Sequence, residues 1–170
     1  MSASYAWHLQ IKSIHAKACS KYAEGNRILD SYFTATKISE LTAIGATTME
    51  FYDFAEDGAS LDWETALLIA SARRDYFLVI QKGEWSTKRI VIDELPAKTD
   101  ELEGIAWLPR LIAKAEGRLR GELPPDLMYS CGGDRRFFEK YTIHPADFLR
   151  EVWASDGNAA KILSYVRSRR

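Results

Sequence analysis

Apolar residues recur along most of this chain at the three- and four-residue steps that place side chains on one face of an α-helix. In the first such segment, about residues 4–24, Ile11, His15 and Ala18 share a face, and Gly25 ends the pattern. Further helices are predicted near residues 28–33, 38–44 and 48–58, and from Ser60 or Asp62, Pro109, Asp134, Pro145 and Asp156 onward. The pattern predicts an all-α or mainly α compact domain of about eight helices.

Local signals mark where two of these helices begin. Thr47 and Glu50 have the spacing of a capping box, in which the hydroxyl and the carboxylate each accept a hydrogen bond from the other residue's backbone N–H. Pro109 suits the first helical position, where a missing N–H costs nothing, and that helix should run to Arg120 before Gly121. We therefore expect helices to start at these two places.

Residues 76–92 leave two alternatives open. Tyr76–Ile80 is apolar on every side, and it could continue the preceding helix or pair as a small β-hairpin with Arg89–Ile92. Periodicity alone does not separate a short buried helix from a short buried strand. We favour the helix.

Length, charge and cysteine content narrow the class of protein. The chain has 170 residues and a net charge of −1, which fits one domain with an N-terminal part, 1–95, and a C-terminal part, 96–170, packed on it. The charge balance argues against a nucleic-acid partner, and no apolar run approaches the ~20 residues of a membrane span. We expect a cytoplasmic protein with no metal and no cofactor, since the 2 cysteines make neither a disulfide framework nor a zinc site.

A basic stripe and a glycine turn form the best candidate site. Arg110, Lys114 and Arg118 follow at four-residue steps on one predicted helix, and Cys131-Gly132-Gly133 leads into another helix start. A helix N-terminus binds anions through its free N–H groups, and glycine lets a ligand approach the backbone. The alternative is a purely structural role, with a solvated basic face and a tight turn capped by Asp134. The candidate ligand-binding residues are Arg74, Arg110, Lys114, Arg118, Tyr129, Cys131, Asp134 and Arg135.

Cys131 carries a second hypothesis. A thiol just before a helix and near several arginines is favoured as the thiolate, the form that acts as a nucleophile or redox group. Nucleophilic catalysis also needs a base, and His144 is the nearest histidine in the sequence, although its place before Pro145 suits a helix start. The alternative is that Cys131 is an inert packed residue.

Arg73, Arg74 and Asp75 lie between two apolar runs. An unpaired charge so close to a core costs several kcal/mol, so these groups must be paired or face a cavity. Either Asp75 holds one arginine in a structural ion pair, or an arginine such as Arg74 recognises an anion through two hydrogen bonds.

Several motifs of the C-terminal part resemble a bacterial family known as domain of unknown function 5069. The resemblance is carried mainly by residues 104–150: Gly104-Ile-Ala-Trp-Leu-Pro-Arg-Leu-Ile, Tyr129-Ser-Cys-Gly-Gly-Asp-Arg-Arg-Phe-Phe and His144-Pro-Ala-Asp-Phe-Leu. Many members would carry Cys-Pro-Leu-Asp where this chain has Cys131-Gly132-Gly133-Asp134. The resemblance implies kinship and brings no activity, substrate or cofactor with it.

Two functions of different classes remain at this stage. The first is the binding of a small anionic ligand, bearing phosphate or carboxylate, at the basic helix and the Gly-Gly turn. The alternative is a non-catalytic helical module for protein interaction or oligomerisation, with a second copy of the chain as one partner. The sequence shows no complete catalytic triad and no nucleotide-binding motif, so it leaves open whether the protein is an enzyme.

Overall fold

The fold is mainly α-helical, as predicted. A computed structural model describes residues 5–58 and 60–169, and these contain eight α-helices and one two-stranded antiparallel hairpin. The chain divides between Trp85 and Ser86 into two compact units, here unit 1 and unit 2. The arrangement of the chain as one domain stays a prediction.

Unit 1 contains four helices, and the first of them lies against the other three. These are α1 (Trp7–Ala23), α2 (Ala35–Thr42), α3 (Thr48–Glu56) and α4 (Trp63–Val79), with a 3-10 turn at Leu29–Ser31. Helix α1 packs against the other three and buries Ile11, Ile14 and Ala18. The predicted start of α1 near residue 4 lies outside the described residues.

The starts of α3 and α4 follow their sequence signals. The Thr47 side chain accepts a hydrogen bond from Glu50 N, and the Glu50 carboxylate accepts one from Thr47 N, which confirms the predicted capping box. Of the two predicted caps for α4, Asp62 is the one that forms, because its carboxylate accepts from Thr65 N. Short polar side chains thus stabilise both helix ends.

The favoured helix over residues 76–79 is confirmed, and the hairpin considered near residues 76–92 is not formed. Helix α4 runs to Val79, and the Tyr76 carbonyl still accepts from Ile80 N. In unit 2, Ile90 N donates instead to the carbonyl of Glu122, 2.9 Å away, so its backbone is paired with a loop. The observed hairpin lies later, where β1 (Glu101–Leu102) pairs with β2 (Ile105–Ala106).

Unit 2 contains this hairpin and the last four helices. The helices are α5 (Leu108–Arg120), α6 (Gly132–Tyr141), α7 (Pro145–Ala154) and α8 (Ala159–Ser168). Helix α5 packs against α7 and α7 against α8. Helix α5 begins one residue before the predicted start, so Pro109 is its second residue, and it ends at Arg120 before Gly121 as predicted, with Gly121 in the left-handed conformation at φ of 71°.

Two predicted helix starts in unit 2 are corrected. Helix α6 begins at Gly132 with Cys131 as its N-cap, so Asp134 lies within the first turn and is no cap. Helix α8 is capped by Asn158, whose side chain accepts from Lys161 N, while Asp156 adopts a left-handed φ of 50° in the loop before it. His144 caps α7 through Nδ1, which fits its expected place at a helix start.

None of the helices in the described parts of the chain is both long enough and apolar enough to cross a bilayer.

Candidate ligand-binding site

The carboxylate of Asp134 organises the start of α6. Its Oδ1 accepts a hydrogen bond from the indole nitrogen of Trp107 at 2.9 Å. Its Oδ2 accepts from Lys114 Nζ at 2.5 Å and from the backbone N–H of Ser130 at 2.9 Å. Asp134 therefore ties α5 to the segment from Tyr129 to Asp134, which we call the Cys131 turn.

Lys114 places a buried cation beside the thiol of this turn. The side chain comes from the middle of α5 and is 1% exposed. Its ammonium contacts Cys131 Sγ at 3.3 Å in addition to Asp134 Oδ2. Because a buried charge needs such partners, both contacts hold the ammonium in a fixed position at the N-terminal end of α6.

The first residues of α6 leave its N-terminus accessible. Cys131, the N-cap, accepts no side-chain hydrogen bond from the first turn, and Gly132 and Gly133 are both partly exposed. A Cβ built on Gly132 would have Arg135 Nη2 as its nearest atom, at 3.8 Å, so a second cation lies at this end of the helix. Backbone N–H groups and the positive end of the helix dipole face the same place.

Gly133 has a different role, because Trp107 packs directly on it. A Cβ at Gly133 would lie 2.5 Å from the Trp107 ring. That ring is held by its hydrogen bond to Asp134, and Trp107 itself adopts a left-handed φ of 73° at the N-cap of α5. The glycine is therefore required for the close packing of the α5 start against the α6 start.

Ser130 and Tyr129 complete the Cys131 turn. The Ser130 carbonyl accepts from Arg135 Nη1 at 2.8 Å, and its side chain is fully buried, with no hydrogen-bond partner for the hydroxyl among the described residues. Tyr129 is also buried, and its hydroxyl donates to the carbonyl of Pro145 at 2.8 Å. Burial raises the pKa of Tyr129 well above its usual value, and the nearby Asp134 carboxylate adds to this, so the phenol stays protonated.

The predicted basic stripe does not form a solvent-facing row. Arg110 is half-buried and donates to the carbonyl of Pro96 at 2.8 Å, while Lys114 and Arg118 are buried. The four-residue spacing is correct, but packing around α5 encloses two of the three side chains. The structure brings five of the predicted residues together: Lys114, Tyr129, Cys131, Asp134 and Arg135.

Arg74 lies in unit 1, next to Arg73, which is the buried arginine of the two. Arg74 contacts Asp75 at 3.3 Å, as the ion-pair hypothesis predicted, and its guanidinium lies 4.8 Å from the centre of the Trp7 ring. Arg73 is fully buried and donates to the Gly45 carbonyl and the Gln81 amide oxygen, at 2.9 and 2.5 Å. Arg73 thus joins the α2–α3 loop to the end of α4.

A cavity of about 240 Å³ in unit 2 lies on another side of α5. Its lining includes Arg89, Glu94, Glu116 and Arg120, with Gly117 at its base between Ile90 and Leu123. None of the predicted ligand-binding residues lines it. Its lining contains both acidic and basic side chains, so it does not offer the uniformly cationic surroundings expected of an anion site.

Sequence reasoning missed Trp107 and Ser130, which hold Asp134 in place. Trp107 is 27 residues from Asp134, and no spacing rule links an indole to a carboxylate at that distance. The signal for Ser130 is equally weak, because its left-handed φ of 69° occurs at a residue that is not glycine. Within the described residues, no group of three or more His, Cys, Asp and Glu side chains is arranged to hold a metal ion.

Comparison with known proteins adds nothing to this geometry. The chain matches no family model, no curated protein and no solved structure. The resemblance seen in the sequence therefore stays a prediction, and the function must be argued from the site.

Proposed function

We propose that unit 2 binds a small anionic ligand, bearing phosphate or carboxylate, at the N-terminus of α6. The observation that carries the proposal is the position of two cationic groups, from Lys114 and Arg135, at the partly exposed Gly132 end of this helix. The helix dipole and the first N–H groups of α6 add to the attraction for an anion.

The ligand would contact the backbone at Gly132 and the guanidinium of Arg135. Lys114 is buried and its charge is compensated by Asp134, so it contributes by holding Cys131 in place, while direct contacts come from the exposed edge of the turn. Arg135 donates through Nη1 to the Ser130 carbonyl and places Nη2 near Gly132, whereas the guanidinium of Arg110 donates to the Pro96 carbonyl and the hydroxyl of Tyr129 is buried against the Pro145 carbonyl, so neither of these two is proposed as a direct contact. This is a narrower ligand set than the sequence predicted.

Thermal denaturation of the full chain with inorganic phosphate, and with a panel of phosphorylated and carboxylated metabolites, tests the proposal. A ligand at about 100 times its Kd adds about 2.7 kcal/mol, which raises the Tm by several degrees in a protein of this size. The rise should be lost in Arg135→Gln and kept in Arg136→Gln, a matched change of the exposed neighbouring arginine.

Each outcome decides the proposal. A Tm rise that disappears only in Arg135→Gln supports it. A flat response to every compound at millimolar concentration, or an equal loss in both variants, would overturn it.

A further inference from the structure

We infer that Cys131 is a nucleophilic thiol that reacts with small electrophiles carrying an anionic group. The preference for an anionic group rests on the proposed function, whereas the nucleophilicity of the thiol stands on separate observations. These are the contact with Lys114, the position of the sulfur at a helix start, and the contrast with Cys19.

The contact with Lys114 places an ammonium group directly beside the sulfur of Cys131. Lys114 Nζ lies 3.3 Å from Sγ, and its other contact, with Asp134, prevents the ammonium from turning away. An adjacent ammonium and a helix N-terminus are the two surroundings that most often make a cysteine reactive. Cys131 is also partly exposed, so a small reagent can reach the sulfur.

Ser130 gives an independent sign that the turn accommodates a polar ligand. Its hydroxyl is buried and has no partner among the described residues, while its backbone N–H and carbonyl are both bonded. A buried polar group without a partner destabilises the folded chain. A ligand oxygen bound at the Cys131 turn would offer this hydroxyl an acceptor.

Cys19 shows what the same residue does without these surroundings. Its sulfur lies 3.7–3.8 Å from the ring nitrogens of His15 on α1, an arrangement that resembles a nucleophile and its base. Burial raises the pKa of Cys19 and lowers that of His15. Both shifts favour the neutral thiol and the neutral imidazole, so this pair provides an internal reference for a thiol without a cationic neighbour.

The reaction is a substitution at carbon. The Cys131 thiolate attacks a carbon that bears a leaving group, an S–C bond forms, and the leaving group departs with the electron pair of the broken bond. With iodoacetate the products are the S-carboxymethyl thioether and iodide. The proton of the thiol is released to solvent, and no oxidant or reductant is needed.

The test is alkylation of the full folded chain by iodoacetate and by iodoacetamide, which differ in charge and share one mechanism. Peptide mass spectrometry gives the rate at Cys131 and at Cys19, and N-acetylcysteine amide serves as the free thiol. We expect Cys131 to react on the order of tenfold faster than Cys19 with both reagents. We also expect the ratio of the iodoacetate to the iodoacetamide rate to be several times higher at Cys131 than in the free thiol.

Variants assign each effect to its cause. Arg135→Gln should remove the preference for iodoacetate, and Arg136→Gln should retain it. The double variant Lys114→Met with Asp134→Asn removes both buried charges together and leaves an oxygen acceptor for Trp107 and Ser130. In that variant the rate at Cys131 should fall to that of the free thiol or below, with circular dichroism confirming the fold.

The two proposals fail in different ways. A Cys131 rate no higher than that of Cys19 or the free thiol overturns the nucleophilic thiol, even where phosphate raises the Tm. Cys131 could react fast and still show the same iodoacetate-to-iodoacetamide ratio as the free thiol, with no effect of phosphate on the rate. That result overturns the preference for an anionic group and the proposed function. A fast rate in the wild-type chain and slow rate in the double variant support the role of Lys114.

Discussion

Lys114 Nζ lies 2.5 Å from Asp134 Oδ2, and the two side chains are only 2% and 0% exposed to solvent. Removing one member of such a pair leaves the other charge uncompensated in the interior. Lys114→Met should therefore lower the free energy of unfolding by about 3–5 kcal/mol, measured by urea denaturation.

The double variant Lys114→Met with Asp134→Asn is the matched control for this loss. It removes both charges, and the Asn oxygen still accepts from Trp107, so most of the stability should return. A double variant as unstable as the single one would show that the two side chains act through something other than their mutual charge compensation.

Gly133 should be much more sensitive than Gly132 to the addition of a single methyl group. Gly133→Ala places a Cβ 2.5 Å from a Trp107 ring that is held by its hydrogen bond to Asp134, so the free energy of unfolding should fall by about 1–3 kcal/mol. Gly132→Ala meets no atom closer than 3.8 Å and should change stability by less than about 1 kcal/mol. Equal losses in the two variants would contradict the packing of Trp107 on Gly133.

Arg73 should be the more important of the two adjacent arginines for stability. Arg73→Met removes a guanidinium that donates to the Gly45 carbonyl and lies 5.0 Å from the centre of the Phe77 ring. Leaving buried acceptors without a donor costs about 1–3 kcal/mol. Arg74→Met, the matched control, breaks a half-exposed ion pair and should cost less than about 1 kcal/mol in the same urea titration.

Local rules predicted the helices of this protein well because the signals act over three or four residues. The capping box of Thr47 and Glu50 and the glycine at 121 bond to backbone groups within one turn, and the proline at 109 lacks an N–H where the helix provides no acceptor for one. Where two short polar residues competed, as Asp156 and Asn158 did at the start of α8, the left-handed conformation of Asp156 decided the outcome. The sequence carries no clear sign of that conformation.

The arrangement of the site was harder to predict, because tertiary packing determines it. The spacing of Arg110, Lys114 and Arg118 describes one edge of a helix, but it does not say whether that edge faces water. The partners of Asp134 come from Trp107, Lys114 and the Ser130 backbone, which only the fold brings together. The turn could be selected from its glycines and Lys114 from its basic stripe, whereas the contact between Lys114 and the Cys131 sulfur could not be predicted.

His15 should make unit 1 less stable as the pH falls. It is 8% exposed, packed against the Trp63 ring at a tilt of 49° and in contact with Cys19, and burial lowers its pKa from the ordinary 6.5. The unfolded chain therefore binds a proton at His15 near pH 6.5 and the folded chain only at lower pH. Stability is fully present above that range and declines as the pH falls through 6.5, with a slope of up to about 1.4 kcal/mol per pH unit.

Urea unfolding between pH 8 and pH 5 measures this decline, and two variants assign it. His15→Gln removes the titrating group, so its stability should vary less with pH than that of the wild-type chain across this range. His8→Gln, on the same helix and without burial in the core, should keep the wild-type dependence. Removing a group whose protonation differs between the folded and unfolded chain must remove its share of the pH dependence. If His15→Gln and the wild-type chain lose stability in parallel below pH 7, the buried neutral imidazole is therefore not the source of the decline.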